Sequence, residues 1–306
     1  MIMITIIKDV FMLNILIFGT NGFVGRNIKE YLQKYRTDCI IDAPMRIECD
    51  LLDEKSVLDI LNRKSYDIVI NAAICNSISS VRENASETEQ DLRMFMNLEK
   101  YSSKYGRMLY FGSGAEYDKS LPIVSVKEDD FFNAVPKTEY GLSKYVINKI
   151  IEKSDNIYNF RIFGLFGKYE NWKCTFISGA CCKALKNVPI TIRQNVFFDY
   201  LYINDFLKAV DWFIDNVPEY HAYNMTSGRK IDLITIADMI NELVENPVPV
   251  YVCMDGLANE YTASNNRFVN EFKDFNISDM KQSISELLDY YKQNINNIDL
   301  YSLLYQ

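Results

Sequence analysis

The chain has 306 residues, enough for one large domain or two unequal ones, and 48% of it is apolar, which excludes disordered and fibrous classes. A net charge of −8, with no block of Lys or Arg, gives a field that repels nucleic acid and anionic membrane surfaces. Seven cysteines without CxxC spacing, two of them adjacent at 181 and 182, point to reduced thiols of a cytoplasmic protein and not to a disulfide framework or a metal site.

The apolar opening, 1–13, is interrupted by Lys8 and Asp9 and lacks a small-residue cleavage site, so residues 1–11 read as a short extension ahead of Met12 and not as a targeting signal. No run long enough to span a membrane follows. A strand over 14–18 then enters Gly19, Thr20, Asn21, Gly22, Phe23, Val24 and Gly25, and a helix over 22–35 carries Val24, Ile28 and Leu32 on one face. Three glycines at such a strand-to-helix turn suit a dinucleotide. One makes the tight turn, one lets the backbone approach the pyrophosphate, and one permits close helix packing. The amides and dipole of the helix N-terminus then favour the negative charge.

A second strand, over 39–41, leads through Asp42 to Arg46 and to Asp50, Leu51, Leu52 and Asp53, ahead of a helix over 54–62. Asp50 and Asp53 follow the strand at a spacing suited to an adenine-binding carboxylate, and N-capping of the next helix is the rival reading, of equal weight for Asp53. A strand over 68–71 ends in Asn71, Ala72 and Ala73, whose small side chains let a flat cofactor lie against the backbone. A helix over 87–105 precedes a strand over 108–111, which runs out into Gly112, Ser113, Gly114, Ala115, Glu116 and Tyr117. That places a hydroxyl at the carboxyl end of a central strand, with Glu116 as a further carboxylate beside it unless alternation along the strand points it elsewhere.

Tyr140 and Lys144 begin a helix over 139–154 and, four residues apart, share one face about one turn from each other. An ammonium there favours phenolate and brings a tyrosine down from about 10 toward working pH, so that it can exchange a proton with a carbinol or carbonyl oxygen. Alone, this pair occurs by chance on surface helices; Ser113, the two alanines and the glycine turn give it weight. Strands over 157–163, near 200–203 and over 250–253 follow, with a last helix over 278–293 whose Ser-Asp start supplies an N-cap. The alternation of strands and helices predicts an α/β fold, a doubly wound parallel sheet of the Rossmann kind. Residues 12–163 would form the dinucleotide-binding domain, with 196–216 returning to it. Residues 164–195 and 217–306 would form a smaller, discontinuous α/β substrate lobe over the carboxyl ends of the strands.

With these residues in view, the chain resembles the extended short-chain dehydrogenase/reductase family over nearly its whole length. The resemblance rests on Gly19-x-x-Gly22-x-x-Gly25, Asp50-Leu-Leu-Asp53, Asn71-Ala-Ala73, Ser113 four residues before Tyr117, and Tyr140-x-x-x-Lys144, with weaker matches over 160–167 and 198–205. It implies that Tyr140 is the acid/base, that Lys144 binds the ribose and lowers the Tyr140 pKa, and that Ser113 orients the reacting oxygen. The cofactor would be held by Gly19, Asn21, Gly22, Phe23, Val24, Gly25, Arg46, Asp50, Leu51, Ala72, Ala73, Tyr140, Lys144 and Phe163.

Members of the family act mostly on nucleotide-linked sugars. The dehydratases carry Asp-Glu where this chain has Gly114 and Ala115, and the epimerase-reductases carry a cysteine where it has Ala115, while its single histidine, His221, lies far from the motif. Plain hydride transfer by Ser113, Tyr140 and Lys144 survives this comparison. Arg46 matches an arginine that contacts the 2′-phosphate of NADP, whereas Asp42, if it lies at the strand end, would favour NAD. The resemblance therefore implies reduction of a 4-keto group on a nucleotide-diphosphate sugar by NADPH. The alternatives are a 4-epimerase with tightly bound NAD and a non-catalytic dinucleotide-sensing protein. Phe198 stands where the family has an arginine for the diphosphate, leaving Lys173, Arg193 and Arg267 as replacements. A homodimer through the helices over 87–105 and 139–154 is expected, with Met94, Phe95, Tyr101 and Ile147 at its contact or else packed on their own sheet.

Overall fold

The computed structural model describes residues 12–75 and 85–304, without the side chains of 85–87, so the expected extension over 1–11 lies outside the described residues. The first half alternates β1 (Leu13–Phe18), α1 (Phe23–Tyr35), β2 (Cys39–Asp42), α2 (Glu54–Leu61), β3 (Tyr66–Asn71), α3 (Ala85–Glu99) and β4 (Tyr105–Ser113). There follow β5 (Ile123–Val126), α4 (Glu139–Ile151), β6 (Ile157–Ile162), β7 (Gly164–Phe166), α5 (Phe176–Leu185), β8 (Ile190–Asn195), β9 (Phe197–Tyr202), α6 (Ile203–Asp215) and β10 (Ala222–Met225). The chain closes with β11 (Lys230–Asp232), α7 (Leu233–Leu243), β12 (Val250–Leu257), β13 (Tyr261–Ala263), α8 (Asn266–Glu271), α9 (Met280–Gln293) and α10 (Leu300–Leu304).

The main sheet has six strands in the order β10-β6-β4-β3-β1-β2, all parallel. Its strands are apolar on both faces because helices cover both. In β1, Ile15 and Ile17 join the core that also holds Ile68, Ile70 and Leu109, while Leu16 and Phe18 join the opposite core with Val57, Val69 and Met108. Each such side chain taken from water contributes about 1.5–3 kcal/mol. Chain order reverses at β1, which has β2 on one side and β3 on the other. That switch point leaves a crevice at the carboxyl ends of β1 and β3, where ligands of doubly wound folds bind.

The second lobe is built on a sheet ordered β11-β9-β13-β5, with β7 pairing β9, and on a ribbon of β8 with β12, packed by α5, α7 and α9. One expectation is corrected here. The strand expected near 200–203 belongs to this second sheet, where Phe198 pairs with Ile231 and with Tyr261. The strand that completes the main sheet is β10, four wholly buried residues too short to stand out in the sequence. The strand beginning at Val250 pairs with β8 and stays out of the main sheet, and from Tyr251 onward it is exposed.

The helix expected over 87–105 stops at Glu99, and β4 already begins at Tyr105. Phe95 and Ile147, expected either at a subunit contact or in the core, are buried in the chain's own core, with Met94 and Tyr101 packed against it. Cys181 and Cys182 are buried, whereas Cys174 and Cys253 are exposed. Among the described residues, no helix is long and apolar enough to cross a membrane.

Candidate active site

At the switch point, Gly19 takes a left-handed φ of +81°, and a Cβ there would fall 2.5 Å from the Ala72 carbonyl group and 2.6 Å from the Ala73 nitrogen. A Cβ on Gly25 would fall 2.4 Å from the Gly19 oxygen. Only hydrogen fits at either place, so the glycine pattern is enforced by close packing of the turn on β3 and α1. Gly22 is the N-cap of α1, no side chain caps the helix, and its first turn holds no acidic residue. The amides of this thirteen-residue helix therefore face a cradle open to an anion, beside exposed Asn21 and Gly22 and half-buried Phe23 and Val24. Across the crevice, Asn71 folds its Oδ1 onto the Ala73 amide at 3.2 Å, which keeps the end of β3 narrow.

The turn after β2 carries the groups expected at an adenosine ribose. Arg46 is 74% exposed and reaches Asp50 at 3.4 Å. Asp50 otherwise closes its own turn by accepting the Leu52 amide at 3.1 Å. Leu51 is buried, and its carbonyl accepts from Asn97. Asp53 caps α2 through the Lys55 amide at 3.0 Å, as its N-cap reading expected. Asp42 does end β2 but sits level with Leu16, below the Phe18 end of β1, and it accepts from the Tyr66 hydroxyl at 2.7 Å and pairs with Lys64 at 3.0 Å.

Ser113 closes β4, and its Oγ accepts the Ala115 amide at 3.1 Å in a capped single turn. Helix α4 starts at the Thr138 cap, whose Oγ1 accepts the Gly141 amide. Its first turn lies so close to that loop that a Cβ on Gly141 would come 2.5 Å from the Ala115 carbonyl. This contact brings Tyr140 beside the Ser113 turn. One turn on, Lys144 is 2% exposed, with Nζ 5.7 Å from the centre of the Tyr140 ring. The ammonium donates to the Tyr110 hydroxyl at 2.6 Å. Burial opposes its charge, but Tyr110, Tyr140 and Asp91 together push its pKa upward, so it stays protonated at neutral pH. Burial likewise pushes Tyr110 upward and keeps it a neutral acceptor. Sequence reasoning missed Tyr110, although alternation along β4 puts it on the same face as Met108, toward α4.

Glu116, a carboxylate that strand alternation could point toward the site or away from it, turns inward. It meets Arg161 at 2.6 Å, both side chains being fully buried, and it accepts from Asn159 and from the Ser113 amide. Burial pushes its pKa up, and Arg161 with Asn159 pulls the other way. Glu116 thus anchors the Ser113 turn from behind and is not available for proton transfer. Tyr117 extends the network, its hydroxyl lying 3.0 Å from both the Lys127 carbonyl and Asn224 Oδ1.

The far wall is aromatic. Phe163 lies 5.0 Å from the Tyr261 ring and 5.9 Å from that of Tyr117, and Phe198 lies 5.7 Å from Tyr261. Of the basic residues expected to bind substrate, Arg267 is engaged elsewhere. It donates to the Ala222 carbonyl and to Asp129, at the start of β10, level with Tyr110 and not with Ser113. Arg193 is exposed on β8, and Lys173 is exposed beside Trp172. His221 stacks on Tyr158 and contacts the Ile157 carbonyl, a structural placement.

A doubly wound parallel sheet with a bare helix N-terminus at its switch point, and a serine, a tyrosine and a lysine gathered at the next strand end, defines a Rossmann-type α/β protein. The chain belongs to the NAD dependent epimerase/dehydratase family, whose pattern matches residues 15–226. It is 22% identical over 243 residues to the GDP-6-deoxy-D-talose 4-dehydrogenase of Aggregatibacter actinomycetemcomitans, an overlap of 76% of this chain and 80% of the relative. Its fold is similar to that of a GDP-L-fucose synthetase from Naegleria fowleri bound to NADP (TM-score 0.82, 14% identity, 93% of this chain and 94% of the other). It is also similar to that of the UDP-glucose 4-epimerase from Thermotoga maritima (TM-score 0.78, 16% identity, 92% and 100%).

Proposed function

We propose that the protein is an NADP-dependent oxidoreductase that reduces the 4-keto group of a nucleotide-linked (6-deoxy)sugar. The observation that carries this reading is the convergence of Ser113, Tyr140 and the buried Lys144 ammonium at the carboxyl end of β4. Residues 12–163 hold the dinucleotide in this reading, and residues of the second lobe close over the sugar. The glycine cradle at α1 and the narrow end of β3 fit a diphosphate and a flat ring. The nicotinamide dinucleotide, when bound, supplies the hydride. Tyr140 gives a proton to the carbonyl oxygen as it becomes an alkoxide, and Ser113 donates a hydrogen bond to the same oxygen. Lys144 keeps positive charge beside the phenol, stabilising it as the proton leaves.

NADP is favoured over NAD by two features of the β2 turn. Arg46 is exposed on this turn, where in this reading it meets a 2′-phosphate, and Asp42, the carboxylate that would repel that phosphate, is held by Tyr66 and Lys64. The name of the Aggregatibacter relative supports chemistry at the sugar 4-position. The test is to purify the protein, read its ultraviolet spectrum, and assay GDP-6-deoxy-D-talose with NADP+. An empty protein that turns over with NADP+, and loses at least about 100-fold in Tyr140→Phe, supports the reductase. Tightly bound NAD with interconversion of UDP-glucose supports instead an epimerase using the same three residues. Full turnover by Tyr140→Phe removes both.

A further inference from the structure

Tyr110 sits on β4, inside the main sheet, in register with Asn71 of β3 on one side and Asn159 of β6 on the other. It is 2% exposed, and its ring meets that of Phe95 from α3 edge-on at 5.3 Å. A backbone paired on both sides and a ring held by packing leave the hydroxyl one position.

Lysine carries its ammonium on a flexible four-carbon stem, so a buried Nζ needs a partner to fix it. Among the described residues, the Tyr110 hydroxyl is the one hydrogen-bond acceptor of Lys144, and Lys144 forms no ion pair. Nζ lies 4.9 Å from the centre of the Tyr110 ring and 5.7 Å from that of Tyr140, so it stands beside both phenols. Asp91 of α3 also bears on the ammonium, but its carboxylate accepts the Cys75 amide at 2.6 Å. A neutral phenol thus holds the ammonium without cancelling its charge. A carboxylate in the same place would cancel it and take from Tyr140 the field that favours phenolate.

We propose that Tyr110 is a positioning residue for the proton transfer: its buried hydroxyl pins the Lys144 ammonium beside the Tyr140 phenol. This assignment rests on the reading of Tyr140 as acid/base given above. It adds a residue 34 positions from Lys144 that neither the glycine turn nor the Ser113–Tyr140–Lys144 set calls for.

The test removes the hydroxyl alone, since Tyr110→Phe keeps the ring on Phe95. In oxidation of GDP-6-deoxy-D-talose by NADP+ the deprotonated phenol is the working form. Loss of the pinned charge should therefore move the acid limb of kcat upward by about one pH unit, lower kcat about tenfold at about pH 7, and leave the sugar KM unchanged. An unmoved limb, or an equal loss at every pH, overturns the assignment. Ultraviolet difference titration of each substrate-free protein against its own Tyr140→Phe counterpart follows the same proton without turnover. It should show the same rise, and equal titrations of wild type and Tyr110→Phe overturn the assignment. Lys144→Met closes the cycle by removing the charge: adding Tyr110→Phe to it should shift the titration no further, and a further shift overturns the positioning role. Wild type that turns over neither GDP-6-deoxy-D-talose nor UDP-glucose defeats the substrate reading, while the titrations still decide Tyr110.

Discussion

Lys144 illustrates how one residue's chemistry depends on partners that its own segment does not supply. Its charge survives burial because strand β4 presents the Tyr110 hydroxyl and helix α3 presents Asp91. Glu170 is the opposite case, a half-buried residue whose carboxyl faces no cation among the described residues. Ser178 donates a short hydrogen bond to it, and loss of water around the carboxyl pushes its pKa up to about 8. The sign of its effect on stability follows. The folded chain holds this proton up to that pH, whereas the unfolded chain releases it near 4.5, so between the two the folded state binds more protons and stability falls as pH rises. The slope from this one group is at most about 1.4 kcal/mol per pH unit. Glu170→Gln, which keeps an acceptor for Ser178, should flatten it. Urea unfolding of both proteins at about pH 5 and about pH 8 measures the difference, and parallel curves would contradict the assignment.

Among the elements, α4 does most to assemble the site, through a contact that a single methyl group would break. Alanine in place of glycine inside a helix ordinarily stabilises by about 0.5–1 kcal/mol. At position 141 the new Cβ would meet the Ala115 carbonyl at 2.5 Å and the Pro136 side chain at 2.8 Å, so the first turn must move off the Ser113 loop. Gly141→Ala should therefore lower kcat by about 100-fold, the scale of a 1 Å misplacement, with far less effect on dinucleotide affinity. Steady-state kinetics beside NADP+ binding separate the two; unchanged kcat would show that the contact has no role in placing Tyr140. The Glu116–Arg161 pair supports the same turn from below, and it explains why Glu116 is wholly inside although the chain has reached solvent by Lys119.

At the scale of the whole molecule, a ligand that binds the native state alone raises its stability, by about 2.7 kcal/mol at a hundredfold excess over Kd. NADP+ should raise Tm by several degrees and NAD+ at the same concentration by less, and Arg46→Ala should erase the gap; a larger shift with NAD+ would reverse the cofactor preference. Much of this protein was legible in the sequence because it depends on neighbours along the chain. The glycine turn, the one-turn spacing of Tyr140 and Lys144, the Asp53 cap and the two-faced apolar strands all arise from sterics and periodicity within a few residues. Strand partners were less so: β9 and β10 are both short and apolar, and which one completes the main sheet is settled by packing across the fold. The same holds for Tyr110 beneath Lys144, Arg161 behind Glu116 and Tyr261 over Gly114, pairs separated by 34, 45 and 147 positions. Local sequence carries the conformation of each segment, but contacts between distant segments exist only once burial of their apolar faces has brought them together.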